Sequence, residues 1–69
     1  MKFNDWLGTV NGMVLDEIGE SANEAEARLG LGFLPDPAKL GDPGKFESWF
    51  DAGVPVEDAA YSFVMEVSA

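Results

Sequence analysis

Residues 16 to 26 carry the densest charge in this 69-residue chain, and any chemistry is best sought there first. The run reads D-E-I-G-E-S-A-N-E-A-E, with five acids and no base before Arg28. Carboxylates in this number could act as acid and base, bind a cation, or present an anionic surface to a basic protein. The alternative is a solvated corner that keeps a small domain soluble. The candidate partner-binding residues of this run are Asp16, Glu17, Glu20, Glu24 and Glu26.

Catalysis is the least favoured of these uses. The chain contains no cysteine and no histidine, so it lacks a thiolate nucleophile, a disulfide, and the commonest general base and transition-metal ligand. A domain of 69 residues also leaves little room for a substrate pocket, which typically measures several hundred Å³. We therefore predict a protein that is not an enzyme, with no catalytic residue and no cofactor.

One stretch shows part of the spacing of a calcium-binding loop. If Asp36 begins such a loop, Gly41 and Glu47 fall at the positions of the invariant glycine and the bidentate glutamate. The intervening ligand positions are Ala38 and Leu40, which have no side-chain oxygen, and prolines interrupt the segment. The pattern is too incomplete to predict a metal site.

The charge balance narrows the choice of partner. Four basic residues against thirteen acidic ones give a formal net charge of −9. Such a surface repels the phosphates of nucleic acids and the anionic surface of membranes, so direct binding to either is not expected. A basic protein surface is its electrostatic complement. No apolar run approaches the roughly 18 residues of a membrane span, and the start, M-K-F-N-D-W, lacks the apolar core of a signal peptide. We expect a soluble, cytoplasmic protein.

The fold class depends on the segment T-V-N-G-M-V-L at residues 9–15. Its Asn11-Gly12 pair between hydrophobic residues is typical of a tight β-hairpin. The flanking residues favour a helix instead, because apolar side chains recur every three or four positions and neither hairpin arm alternates cleanly. Asn4 is a candidate N-cap for this helix. The apolar stripe consists of Phe3, Leu7, Val10, Val14 and Ile18.

The remaining elements also carry helix signals. Ser21 and Glu24 have the spacing of a capping box, Gly53 suits a left-handed helix cap, and Pro55 suits the first position of a last helix. We predict a single all-α domain over residues 1–69, with three to four short helices at about 4–18, 22–30, 45–52 and 55–67 and an ordered Pro/Gly-rich loop at 33–44. The core is expected to include Ala22, Ala25, Leu29, Phe33, Leu34, Leu40, Phe46, Trp49, Phe50, Val56, Ala60, Phe63, Val64 and Val67.

The last helix presents two residues away from its apolar stripe. Tyr61 lies on the flank of the stripe, and Met65 points nearly opposite to it. With Asp58 one turn before Tyr61, they suit the centre of a small interface with an acidic rim. Trp6, Trp49 and Phe50 could form an aromatic docking surface, but aromatic residues at helical spacing favour the core interpretation.

The layout resembles a group of small acidic phage and bacterial proteins of unknown function. Their pattern is F-x-x-W-L-x-x-V, then L-P-D, then an aromatic helix, then G-[VM]-S-P-E-E-A-A. The resemblance implies a helical first segment and no known activity. The chain departs from the pattern in a longer connection after Leu34-Pro35-Asp36 and in the absence of the hydroxyl cap before the last helix, since Val54 directly precedes Pro55. The matching residues are Phe3, Trp6, Leu7, Val10, Leu34, Pro35, Asp36, Phe46, Trp49, Phe50 and the run Gly53 to Ala60.

Two hypotheses of different class follow. The first is a host-directed inhibitor from a phage or mobile element that occupies a basic, nucleic-acid-binding protein surface through its acidic face, and so imitates DNA. The second is a structural or accessory module that homodimerises through apolar helix faces. Tyr61 and Met65 separate the two, since dimerisation would bury them.

Overall fold

A computed structural model describes residues 1–35 and 41–69 of the chain, and the regular elements in those ranges are all helices. They are α1 (Phe3–Ile18), α2 (Ala22–Leu29), α3 (Lys45–Asp51) and α4 (Val56–Ser68). The predicted all-α fold is confirmed, with each helix within one residue of its expected bounds. In the described part of the chain, no helix is both long and apolar enough to cross a membrane. Residues 36–40 of the predicted ordered loop lie outside the described residues, and with them the predicted core position of Leu40 and the calcium-loop positions Asp36 and Ala38.

The Asn11-Gly12 pair lies in the middle of α1, so the hairpin alternative is wrong. The Asn11 side chain forms hydrogen bonds to α2 from this position. Its Oδ1 accepts the backbone N–H of Asn23 at 2.9 Å, and its Nδ2 donates to Oδ1 of Asn23 at 3.2 Å. The first bond satisfies one of the N–H groups that the start of α2 leaves without a helical acceptor. Asn11 therefore joins α1 to α2.

One of the three predicted helix starts has the expected capping residue, and two differ. The capping box is confirmed: the Ser21 hydroxyl accepts the N–H of Glu24, and the Glu24 carboxylate accepts the N–H of Ser21. Asn4 is not an N-cap, since α1 begins one residue earlier, after Lys2, whose side chain makes no capping bond. Pro55 occupies the N-cap of α4 rather than its first helical position.

Gly53 ends α3 as predicted. Its φ of +82° is the left-handed conformation that favours glycine, and it lets the chain reverse. The N–H of Gly53 then donates to the carbonyl of Phe50, and the N–H of Val54 to that of Trp49. These two bonds form a Schellman motif, which directs the chain from α3 into α4.

The core is an aromatic cluster between α1, α3 and α4, with α1 packing chiefly against α4. Phe33 lies at its centre, with its ring centroid 5.0 Å from that of Phe46 and 4.8 Å from that of Phe63. Trp6 is buried, and its Nε1 donates to the carbonyl of Val54 at 3.0 Å, so it closes the cluster at the α3–α4 turn. The core interpretation of Trp6 is confirmed, and Trp49 and Phe50 pack partly buried against the same cluster.

One core prediction is wrong. Leu29 was expected to be buried with Ala22 and Ala25, yet it is exposed. The two alanines are fully buried, and the third buried residue of α2 is Glu26. The buried face of α2 is therefore completed by a carboxylate.

Gly44 holds the ends of the loop together. With a φ of +87°, its backbone lies so close to Phe33 that an added Cβ would sit 2.6 Å from the Phe33 carbonyl oxygen. This approach allows the N–H of Lys45 to reach the carbonyl of Gly32 and the N–H of Phe46 to reach that of Phe33, both at 3.0 Å. Phe33 is thereby held in the core.

Candidate functional site

A groove of about 490 Å³ lies between α1 and α4. Its apolar lining is Met13, Ala60 and Val64, which pack against or belong to the core. Tyr61 forms part of its wall with two-thirds (66%) of its surface exposed. The lining is completed by three carboxylate residues, Asp16, Glu17 and Glu57. We call these three the groove carboxylates.

The groove carboxylates are available to a partner. Asp16 and Glu17 are exposed on the last two turns of α1, and Glu57 is exposed on the first turn of α4. Among the described residues, none of the three side chains makes a hydrogen bond or a salt bridge, and no base lines the groove. Three acids without a compensating cation make this groove an anionic, partly apolar depression. It suits a cationic group that is attached to an apolar one.

The other three acids of the run, Glu20, Glu24 and Glu26, are engaged within the protein. Glu26 is the most deeply placed, with 8% of its surface exposed. Its Oε1 accepts the N–H of Gly32 at 2.7 Å and that of Phe33 at 3.0 Å, and its Oε2 accepts the N–H of Leu31 at 3.1 Å. Hydrogen bonds to an ionised acceptor are the stronger kind. Glu26 therefore anchors the chain that leaves α2 and does not face a partner.

Glu20 and Glu24 are intermediate between the groove carboxylates, which make no bond within the described residues, and the buried Glu26. Glu20 forms a salt bridge with Arg28, which neutralises it locally. Glu24 is exposed but uses its carboxylate in the capping box of α2. Exposed ion pairs of this kind contribute less than about 1 kcal/mol, so Glu20 retains freedom to exchange partners.

Asp58 and Met65 complete the residues predicted from the sequence. Both are exposed on α4, with Met65 at 54%. Of these and Tyr61, the structure places only Tyr61 in the groove wall. Met65 follows Tyr61 by one turn, so it extends the apolar surface beyond the groove.

Two groove residues were missed by sequence reasoning, Glu57 and Met13. Neither residue is among the partner-binding residues predicted from the sequence. Their contribution to the groove depends on the tertiary contact between α1 and α4. The available signal was that Glu57, Tyr61 and Val64 share one helix face at the spacing of four and three.

In residues 1–35 and 41–69, no three acidic side chains converge in a way that could hold a metal ion. Comparisons of the chain with protein-family models, with curated proteins and with solved structures find no match. The site must therefore be interpreted from its own geometry.

Proposed function

We propose that this protein acts by binding another protein, and that it presents the α1–α4 groove and its carboxylates to a basic surface of that partner. The observation that carries the proposal is the convergence of Asp16, Glu17 and Glu57 on an apolar groove without a base among its lining residues. A formal net charge of −9 adds a long-range attraction that speeds association with a basic partner.

The proposed role is that of a host-directed inhibitor from a phage or mobile element. The resemblance of the layout to small acidic phage and bacterial proteins supports this origin. A basic surface that normally binds nucleic acid would accept the acidic face in place of phosphates. The activity is non-enzymatic, and the proposed location is the host cytoplasm. The proposed contact residues are the groove carboxylates and Tyr61, with the partly exposed Glu20 and the exposed Glu24 and Asp58 as surrounding charges and Met65 as an apolar extension.

The test is affinity capture of the partner from host lysate, compared between the wild type and a groove variant carrying Asp16→Asn, Glu17→Gln and Glu57→Gln. We expect the groove variant to lose the captured protein. Binding of the purified partner should also weaken steeply from low to moderate salt, because the Debye screening length falls to about 10 Å at 0.1 M ionic strength. Binding that is independent of salt would exclude imitation of nucleic-acid charge.

A matched control separates the groove from net charge. The variant Asp5→Asn, Asp51→Asn, Glu66→Gln neutralises the same number of exposed acids outside the groove. Both variants change the formal charge equally, so a difference in capture reports the position of the charges. Equal loss in both would reduce the proposal to a non-specific effect of net charge.

A second candidate function is supported by the exposure of Tyr61 and Met65, which are 66% and 54% accessible on one helix. In that alternative the protein is a structural module that homodimerises through apolar helix faces. Sedimentation equilibrium of the wild type and of Met65→Glu tests it. A dimer that Met65→Glu converts to a monomer would support the module, whereas a monomeric wild type would refute it.

A further inference from the structure

The shape of the groove restricts what can occupy it. Its lining on α4 extends from Glu57 to Val64, a rise of about 10 Å at the pitch of an α-helix. Its volume of about 490 Å³ lies within the usual range for sites that enclose bulky apolar groups. The floor is formed by Met13, Ala60 and Val64, all supported by the core, so it is already shaped before a partner arrives. An occupant that fills it needs apolar side chains along about two helical turns.

The charges restrict the occupant further. A second copy of this chain would bring its own acids against Asp16, Glu17 and Glu57, with only four basic residues in each chain to offset them. Nucleic acid is repelled for the same reason. A segment that carries Lys or Arg on both sides of its apolar face meets opposite charges on both helices. The exposed ring of Tyr61 also offers its face to such a cation.

From these two restrictions we infer that the groove accepts a basic amphipathic helix of the partner protein, with its apolar face on Met13, Ala60 and Val64 and its cations on the groove carboxylates. Helix binding in a groove between two helices is a recurring mode of peptide recognition. This inference rests on the proposed function and specifies the chemistry of the partner.

The experiment uses two synthetic peptides of identical Leu and Lys composition. In the first, leucines recur at helical spacing, and in the second they are scrambled so that no apolar face forms. Binding to the full chain is measured by backbone amide chemical shifts at low salt. We expect the amphipathic peptide to bind at least about fivefold more tightly than the scrambled one. Its binding should change the amide chemical shifts of the groove residues Met13, Ala60, Tyr61 and Val64.

Single substitutions on α4 locate the contact. Tyr61→Ala should weaken binding of the amphipathic peptide by about fivefold and leave binding of the scrambled peptide unchanged. Ser62→Ala, at an exposed position on the same helix but outside the groove lining, is the control and should change the binding of neither peptide. Unchanged chemical shifts elsewhere in each variant verify that the fold is intact.

The outcomes separate the inference from the proposed function. Equal binding of the two peptides, or shifts that map outside the groove, would overturn the helix-binding inference and leave the acidic protein-binding surface standing. Failure of both peptides to bind at low salt would overturn the inference and count against the proposed function as well. Preferential, Tyr61-dependent binding of the amphipathic peptide supports both.

Discussion

Glu26 and the groove carboxylates come from the same acidic chain but meet opposite surroundings. Glu26 is nearly enclosed and accepts three backbone N–H groups, whereas Asp16 and Glu17 are exposed and, within the described residues, accept none. The first kind of site stabilises the fold, because its hydrogen bonds replace those lost to water. The second kind contributes little to folding and remains available for binding. Acidic content alone therefore does not identify a binding face in this protein.

The difference arises from backbone donors. The chain after α2 turns through Gly30 and Gly32, both at positive φ, and directs consecutive N–H groups at the Glu26 carboxylate. No comparable set of donors reaches the groove in the described structure. The groove carboxylates instead line the groove beside apolar side chains and are exposed to solvent.

The largest expected effect is at Glu26. We expect Glu26→Ala to destabilise the domain by at least about 3 kcal/mol, since it leaves three buried or partly buried donors without an acceptor. That is much of the stability of a domain this small. Urea denaturation measures it, with Glu24→Ala as a control that removes the same charge from the same helix at a cost of about 1 kcal/mol. Equal losses in the two variants would erase the distinction between buried and capping carboxylates.

The next effect concerns the loop that supplies those donors. Gly44→Ala should cost about 2 to 4 kcal/mol, because the added Cβ would meet the Phe33 carbonyl at 2.6 Å and the backbone is left-handed there. Thermal denaturation followed by circular dichroism provides the measurement. Gly41→Ala shares the positive φ but has open space around its Cβ, so it should cost clearly less. If both substitutions have the same effect, the close approach to Phe33 is unimportant.

A smaller effect of opposite sign is expected at Gly12. A Cβ placed there meets nothing within 4 Å, and the residue is in the middle of α1. Gly12→Ala should therefore stabilise the domain by about 1 kcal/mol through helix propensity. Urea denaturation tests this. A loss of stability would show that the glycine has a packing role.

The smallest effect is expected for the groove variant Asp16→Asn, Glu17→Gln, Glu57→Gln. Asp16 and Glu17 oppose the dipole at the end of α1, and Glu57 complements it at the start of α4, so the variant removes two unfavourable helix-dipole terms and one favourable term, which partly cancel. We expect stability to change by less than about 0.5 kcal/mol, measured by urea denaturation. A loss above about 1 kcal/mol would mean that these carboxylates are structural, like Glu26, and would remove the comparison on which the binding proposal depends.

The fold was predictable because its signals are local. The apolar spacing of α1, the capping box at Ser21 and the glycine at the end of α3 each act within one or two turns. The burial of Glu26 was not predictable from propensity, which treats glutamate as exposed. The position of Glu26 on the same face as Ala22 was visible, but its acceptor role depends on how the following loop folds back.

The candidate site was predictable only in part. Asp16, Glu17 and Tyr61 were selected from charge density and from helical position, and the structure brings them to one groove. The density of acidic residues in the sequence also selected Glu26, which is buried in the structure. The groove itself is formed by the contact between α1 and α4, which no single helix pattern contains.

The Asn11 side chain has a consequence for the chemical ageing of the protein. In an unfolded chain, Asn-Gly is prone to deamidation, because the glycine nitrogen attacks the asparagine side-chain carbonyl to form a succinimide. Here that side chain is held by Asn23 on α2, and the nitrogen of Gly12 belongs to a helical backbone. Attack requires both restraints to be released. Deamidation at Asn11 is thus expected chiefly while α1 is open, so the fraction of molecules that carry aspartate or isoaspartate at residue 11 rises with the total time that the population spends in the open state.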